Sequence, residues 1–233
     1  MSFFLRLIRY VSRETQKTGL KQRLQDKAWE EAADFIRANW TRECEFFEDW
    51  WKIRNYALTR APDQGLYLEF GVYSGKTINF FADKLNESLP DKKIYGFDNF
   101  TGLTESWSGF GLPEGFFDRK GVVPKVRDNV ELIIGNIEDT LPEFIAGHDE
   151  TVGFVHVDTD TYSPCKLILE QLKPYLRPGS IILFDQLLGY PGYQEHELAA
   201  LTEIFDRNQY SFIAYGVAQE KGNLVKAAIR FRG

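Results

Sequence analysis

The chain has 233 residues, 43% hydrophobic and 27% charged, long enough to bury a sizeable core and too apolar for extended disorder. A formal net charge of −6 excludes an overall basic protein, the usual mark of a nucleic-acid binder, so no nucleic-acid partner is expected. Two cysteines, Cys44 and Cys165, fall in segments that read as separate helices; this excludes a disulfide framework and a cysteine metal site and points to a reducing, cytoplasmic setting.

The N-terminal "MSFFLRLIRYVSR" is interrupted by Arg6 and Arg9, so it lacks the unbroken apolar run of a signal peptide or membrane span. Two readings stay open: a basic amphipathic helix lying on a membrane, and packing on the body or on a partner subunit, which helical apolar spacing favours. From about residue 20 to 60, "LQDKAWEEAADFIRANW" and "CEFFEDWWKIRNYAL" show helical spacing, closed by Pro62 and Gly65. Residues 1–62 are thus expected to form a helical arm that covers the site or builds a homo-oligomer.

Beyond the arm, "GLYLEF" (65–70), "KKIYGF" (92–97), "VELIIG" (130–135), "VGFVHV" (152–157) and "SIILF" (180–184) alternate with amphipathic stretches. That alternation predicts βα units, hence a Rossmann-like α/β domain over 63–233 with a doubly wound, mostly parallel sheet. The crossover helices are "KTINFFADKLNESL", "LPEFIAG" and "PCKLILEQLKPYL", the last with Ser163 as N-cap and Pro164 at the first helical position. After the helix "EHELAALTEIFDRN", "YSFIAYGVA" and "LVKAAIRFR" flank "QEKGN", which predicts a closing antiparallel hairpin. Residues 99–121, "NFTGLTESWSGFGLPEGFFDRKG", have no clear period and read as a lid or binding segment.

Ligands in such a sheet sit at the carboxyl ends of the strands. At the first, "LEFGVYSGKT", Gly71 and Gly75 permit a tight turn and close backbone approach. The spacing departs from the dinucleotide and Walker patterns, and Glu69 would repel a phosphate and attract an ammonium group. Lys76 and Thr77 also read simply as the start of the next helix. Asp98, about 27 residues after the turn, suits either the two hydroxyls of a ribose or the cap of a turn. Asn136 and Ile137 follow the third strand, where they can flank an adenine, with Thr140 placed to cap the short helix.

The fourth strand ends in "HVDTDTYSP", with carboxylates at Asp158 and Asp160. Four uses stay open for them: a divalent cation site, a base, a cofactor contact, or a helix cap. The fifth strand ends in Asp185 and Gln186. His156 is either a core histidine or a base, and His196 either touches substrate or starts a helix in solvent. Phe100, Trp107, Phe110, Phe116, Phe117, Tyr190 and Tyr193 are candidates to line an acceptor pocket.

In "LEFGVYSGKT", "YGFDNFTGL", "GNIEDTLP", "VHVDTDTY" and "LKPYLRPGSIILFDQ", spanning about residues 66–187, the chain resembles the class I S-adenosylmethionine-dependent methyltransferases, within them the macrocin O-methyltransferase-like family. The resemblance implies that Glu69 and the Gly71–Gly75 loop, with Ser74 and Thr77, hold the methionine part of S-adenosylmethionine. It gives Asp98 to the ribose, Asn136 and Ile137 to the adenine, and Asp158 to cofactor and metal. It further implies Mg²⁺ on Asp158, Asp185 and the position of Gln186, with Asp160 as general base. Gln186 departs from the family's acid; an amide oxygen ligates a hard cation, but with one charge fewer. The implied activity is methyl transfer to a hydroxyl of a small molecule, sugar or natural product. Its rivals are a metal-independent enzyme of the same fold and a non-catalytic cofactor-binding or assembly protein.

Overall fold

Strand by strand, the apolar runs become the buried centre of an eight-stranded sheet. A computed structural model of the chain describes residues 3–217 and 224–233, with side chains from residue 19 onward. Its strands are β1 (Glu45–Phe47), β2 (Leu66–Phe70), β3 (Ile94–Asp98), β4 (Val130–Ile134), β5 (Val152–Val157), β6 (Leu176–Leu188), β7 (Tyr210–Val217) and β8 (Val225–Phe231). The helices are α1 (Phe3–Asn39), α2 (Trp50–Arg60), α3 (Lys76–Ser88), α4 (Ile137–Ala146), α5 (Tyr162–Leu172) and α6 (Glu197–Ile204). The sheet order is β1-β7-β8-β6-β5-β2-β3-β4. Only β8 runs against its neighbours β6 and β7, so the expected Rossmann-like, mostly parallel architecture is the one observed.

Every residue of β2 and β5 is buried, as a sheet covered on both faces requires. Side chains alternate between two cores. Leu68, Phe70, Val155, Val157, Ile182 and Phe184 pack with residues of α4, α5 and α6; Tyr67, Phe154, Ile181 and Leu183 pack with α2 and α3. The same period sends Glu69, His156 and Asp185 toward the α2 and α3 face, since Glu69 pairs with His156 and His156 with Leu183.

Three local expectations are corrected. The helix expected over "CEFFEDWWKIRNYAL" starts only at Trp50, because Asp49 caps it by accepting from the N–H groups of Trp51 (2.7 Å) and Lys52 (3.1 Å). Cys44 therefore precedes β1 instead of lying in a helix, and β1 pairs parallel to β7. The antiparallel β7–β8 pair expected at the end of the chain is present, and β1 adds one further strand beyond β7. Ser163 lies inside α5, whose N-cap is Thr161; the Ser163 N–H and hydroxyl instead donate to Glu105 at 2.9 and 2.7 Å. The turn "QEKGN" and the side chains of "MSFFLRLIRYVSR" lie outside the described residues. Among those described, no helix is long and apolar enough to cross a membrane.

Helix α2 can lie close on the sheet because Gly216 has no side chain. A Cβ there would stand 2.7 Å from Cγ2 of the fully buried Ile53. Gly216→Ala is expected to cost about 1–3 kcal/mol in urea unfolding, the range of core overpacking; unchanged stability would show that α2 yields freely.

Candidate functional site

The carboxyl ends of β2, β3, β5 and β6 open into a cavity of about 930 Å³, of the size that takes a cofactor and a small acceptor together. Its floor begins at the β2–α3 turn. Gly71 has φ +92°, and a Cβ on it would lie 2.0 Å from the carbonyl oxygen of Asp158. The ends of β2 and β5 touch there, which no other residue permits. Ser74, Lys76 and Thr77 line the cavity beyond the turn.

Asp98 both caps and faces the cavity. Its Oδ2 accepts from the Tyr73 N–H (2.6 Å) and its Oδ1 from the Phe100 N–H (2.7 Å), which fixes two loops of the rim. Each oxygen keeps a further lone pair for a ligand. Asn136 takes the N-cap position of α4 and Ile137 opens that helix, both on the cavity wall. Thr140 lies one turn into α4, its hydroxyl donating to the Asn136 carbonyl at 2.9 Å.

Next to this rim stands a polar cluster. Asp185 Oδ1 accepts from Arg54 Nη2 (2.5 Å) and His156 Nε2 (3.2 Å), and its Oδ2 from Lys226 Nζ (2.5 Å) and Gln186 Nε2 (3.1 Å). His156 Nδ1 faces Glu69 Oε2 at 3.2 Å. Burial alone would depress the imidazole, but its bonds to Asp185 and Glu69 push it up to about 9, so both ring nitrogens carry protons. Burial would likewise raise Asp185, yet Arg54 and Lys226 hold it well below the usual carboxylate range. Desolvation pulls Lys226 down.

Asp160 is of a different kind. It sits at φ +66°, a region uncommon for a residue with a Cβ and frequent at functional sites. Among the described residues no hydrogen bond reaches its carboxylate, so it is not the cap of α5, and it lines the cavity. Burial, followed by the charges of Asp158 and Asp185, raises its pKa well above the ordinary value.

Two expected site residues lie elsewhere. Glu69 is fully buried under the Gly71 turn and does not line the cavity, since the strand period turns it toward His156; its Oε1 has no hydrogen-bond partner among the described residues. His196 is buried with Nε2 3.1 Å from Ser108 Oγ and lies outside the cavity lining, where it secures the 99–121 segment. Burial lowers its pKa. Of the aromatics, Phe100 and Phe117 line the cavity. Trp107, Phe110 and Tyr190 instead pack on one another, with Trp107 and Phe110 centroids 4.3 Å apart.

Arg54 and Lys226 on the cavity wall are additions to the expected residues, and Trp50 and Trp51 beside them belong to the arm expected to cover the site. Lys226 had a signal: a lysine among the apolar residues of "LVKAAI" in a strand buried at that point. Arg54 had one too, a turn after the paired tryptophans and so on their face of α2. Lys226 Nζ stands 4.4 Å from the Trp50 ring centroid, and the Arg54 guanidinium 5.1 Å from that of Trp51.

These residues do not fit Mg²⁺. Donor atoms of His156, Asp158 and Asp185 fall within 4.8 Å of one another, but the four donors on Asp185 already use its lone pairs. Gln186 turns its Nε2, a donor, to Asp158 Oδ1 (2.9 Å), and its buried Oε1 has no hydrogen-bond partner among the described residues. A further cation about 4 Å from Arg54 or Lys226 would meet roughly 4 kcal/mol of repulsion per unit charge at an effective dielectric near 20.

A protein family described as a methyltransferase domain matches residues 68–187, the stretch that carries the turn, Asp98, Asn136, Asp158 and Asp185. No curated protein matches the chain. Among solved structures, the chain is similar to the apo form of CalS11, described as a TDP-rhamnose 3'-O-methyltransferase of calicheamicin biosynthesis. The identity is 24%, with 77% of this chain and 76% of that one covered and a TM-score of 0.54. A second CalS11 structure is 23% identical over 92% of each chain, with a TM-score of 0.57. TomG, an O-methyltransferase from Streptomyces achromogenes solved with S-adenosylmethionine, is 17% identical over 90% of each chain, with a TM-score of 0.54. At these identities the three share its fold.

Proposed function

The chain belongs to the methyltransferase domain family, and we propose that it is a class I S-adenosylmethionine-dependent enzyme that methylates a hydroxyl of a sugar or other small natural product. The observation that carries this reading is one cavity with Asp98, Asn136 and Ile137 on one wall and the unbonded Asp160 on another. CalS11's described action on TDP-rhamnose agrees with it.

S-adenosylmethionine, when bound, supplies a methyl group on a positively charged sulfur. Asp98 accepts from the ribose hydroxyls, Asn136 and Ile137 flank the adenine, and the Gly71–Gly75 loop with Ser74 and Thr77 holds the methionine part. Asp160 takes the acceptor's proton, and its raised pKa makes it a stronger base than an exposed carboxylate. Trp50, Trp51, Phe100 and Phe117 offer ring faces to the acceptor. No step runs through a metal.

The division near residue 62 and the arm's part in a homo-oligomer belong to the same reading. α2 gives the cavity wall its tryptophans, and Leu20 and Leu24 are exposed on α1. Two buried free thiols, Cys44 and Cys165, agree with a cytoplasmic setting.

Calorimetry with S-adenosylhomocysteine tests the cofactor half. Asp98→Ala is expected to weaken binding by about 10- to 100-fold, the worth of hydrogen bonds to a charged acceptor; unchanged affinity would remove Asp98 from the site. Labelled methyl transfer to a library of hydroxyl compounds tests the other half, and tight binding without turnover on any of them would favour the non-catalytic rival.

A further inference from the structure

We infer that Arg54 and Lys226 form a built-in positive centre in the place a divalent cation would take beside Asp158 and Asp185, so that acceptor hydroxyls are methylated without a metal. The catalytic part of this statement rests on the methyl-transfer reading above; the part that concerns metal binding does not.

Four observations converge on it. Arg54 and Lys226 are nearly solvent-free in the chain, at 4% and 0% exposure, yet both line the cavity with Asp158, Asp160 and Asp185. Each is fixed from two sides: by Asp185 at 2.5 Å, and by a tryptophan ring of α2. Lys226 Nζ also donates to the Asp185 carbonyl at 3.0 Å, so the ammonium is held at the end of β6 and not on a mobile tether. Gln186 completes the arrangement, since its amide N–H group bridges Asp158 and Asp185 at 2.9 and 3.1 Å. An acid there would add a negative charge and take away that bridge.

A fixed cation serves the same chemical end as a bound one. As the acceptor oxygen forms its C–O bond and the C–S bond breaks, the electron pair returns to sulfur and the hydroxyl proton passes to Asp160. The negative charge that develops on the oxygen meanwhile faces the two cations. The arrangement differs from a metal site in one consequence: the charge cannot be removed by a chelator.

Mn²⁺ titration of the wild-type protein, followed by electron paramagnetic resonance with and without S-adenosylhomocysteine, tests the metal-binding part. The expected result is no bound Mn²⁺ at millimolar ion; one bound equivalent would overturn the inference whether or not any variant folds. Lys226→Met frees one lone pair of Asp185 Oδ2 and removes one charge, so it is expected to bind Mn²⁺ at least about tenfold more tightly than the wild type. Lys226→Arg, which keeps the charge, should bind none. If Lys226→Met folds by circular dichroism and gains no affinity, the lysine does not hold the ion's place and the inference falls. On any acceptor that turns over, EDTA should leave the rate within about twofold, and loss of turnover in EDTA would refute it. Failure to bind S-adenosylhomocysteine would instead count against the methyltransferase site, and leave the Mn²⁺ result standing.

Discussion

Asp160→Asn is expected to lower methyl transfer by about 10²–10⁴-fold, the usual worth of a general base, and to leave S-adenosylhomocysteine affinity within a few fold. Asparagine is the informative replacement. It matches the carboxylate in shape, and it tolerates the left-handed backbone that Asp160 adopts at φ +66°. Lost turnover would therefore report the missing proton acceptor and not a rearranged loop. The pH profile gives a second reading. Burial and the neighbouring Asp158 raise the Asp160 pKa, so the active, ionised form appears only above that value. The acid limb of kcat should stand well above the ordinary carboxylate value of about 3.9 and disappear in the variant. An Asp160→Asn protein with wild-type turnover and an unshifted acid limb would return Asp160 to a structural role.

The two carboxylates of "HVDTDTYSP" show how far a local sequence can be read. Asp158 could be placed at a strand end, because an apolar run of six residues before it reads as a buried strand. Asp160 could not be separated from a helix cap, since cap and base are the same residue type at the same offset. Only the folded helix start excludes the cap: Thr161 takes that position, and the Ser163 N–H donates to Glu105. Seven of the eight strands could be read from short apolar runs, and β1 could not: three residues within a helix-like stretch become a strand only because β7 offers them an edge. The same limit hid Arg54 and Lys226. Both are brought to Asp185 by pairing and packing across 131 and 41 residues of sequence, and a neutral reading of the acid cluster then suggests a metal where the fold supplies its own cations.

Asp185→Asn is expected to destabilise the protein by about 3–5 kcal/mol in urea unfolding at neutral pH, the cost of leaving a buried ion without its partner. Three cationic groups lose their shared counter-charge at once: the Arg54 guanidinium, the Lys226 ammonium and the His156 imidazolium. The pH dependence separates them. His156 is raised from about 6.5 in the unfolded chain to about 9 in the fold, so its contribution is complete below about 6.5 and is lost as pH rises through 9. From the size of that shift it is worth roughly 3 kcal/mol. Asp185, held below the usual range, acts in the opposite sense: its contribution is present above about 3.9 and is lost as pH falls through its lower folded value. Wild-type stability should therefore decline between about pH 6.5 and 9. In Asp185→Asn that decline should be shallower, because Glu69 alone then faces the imidazole. A variant as stable as the wild type, with the same alkaline slope, would mean that the cluster draws its order from Glu69 and the packing around it and not from Asp185.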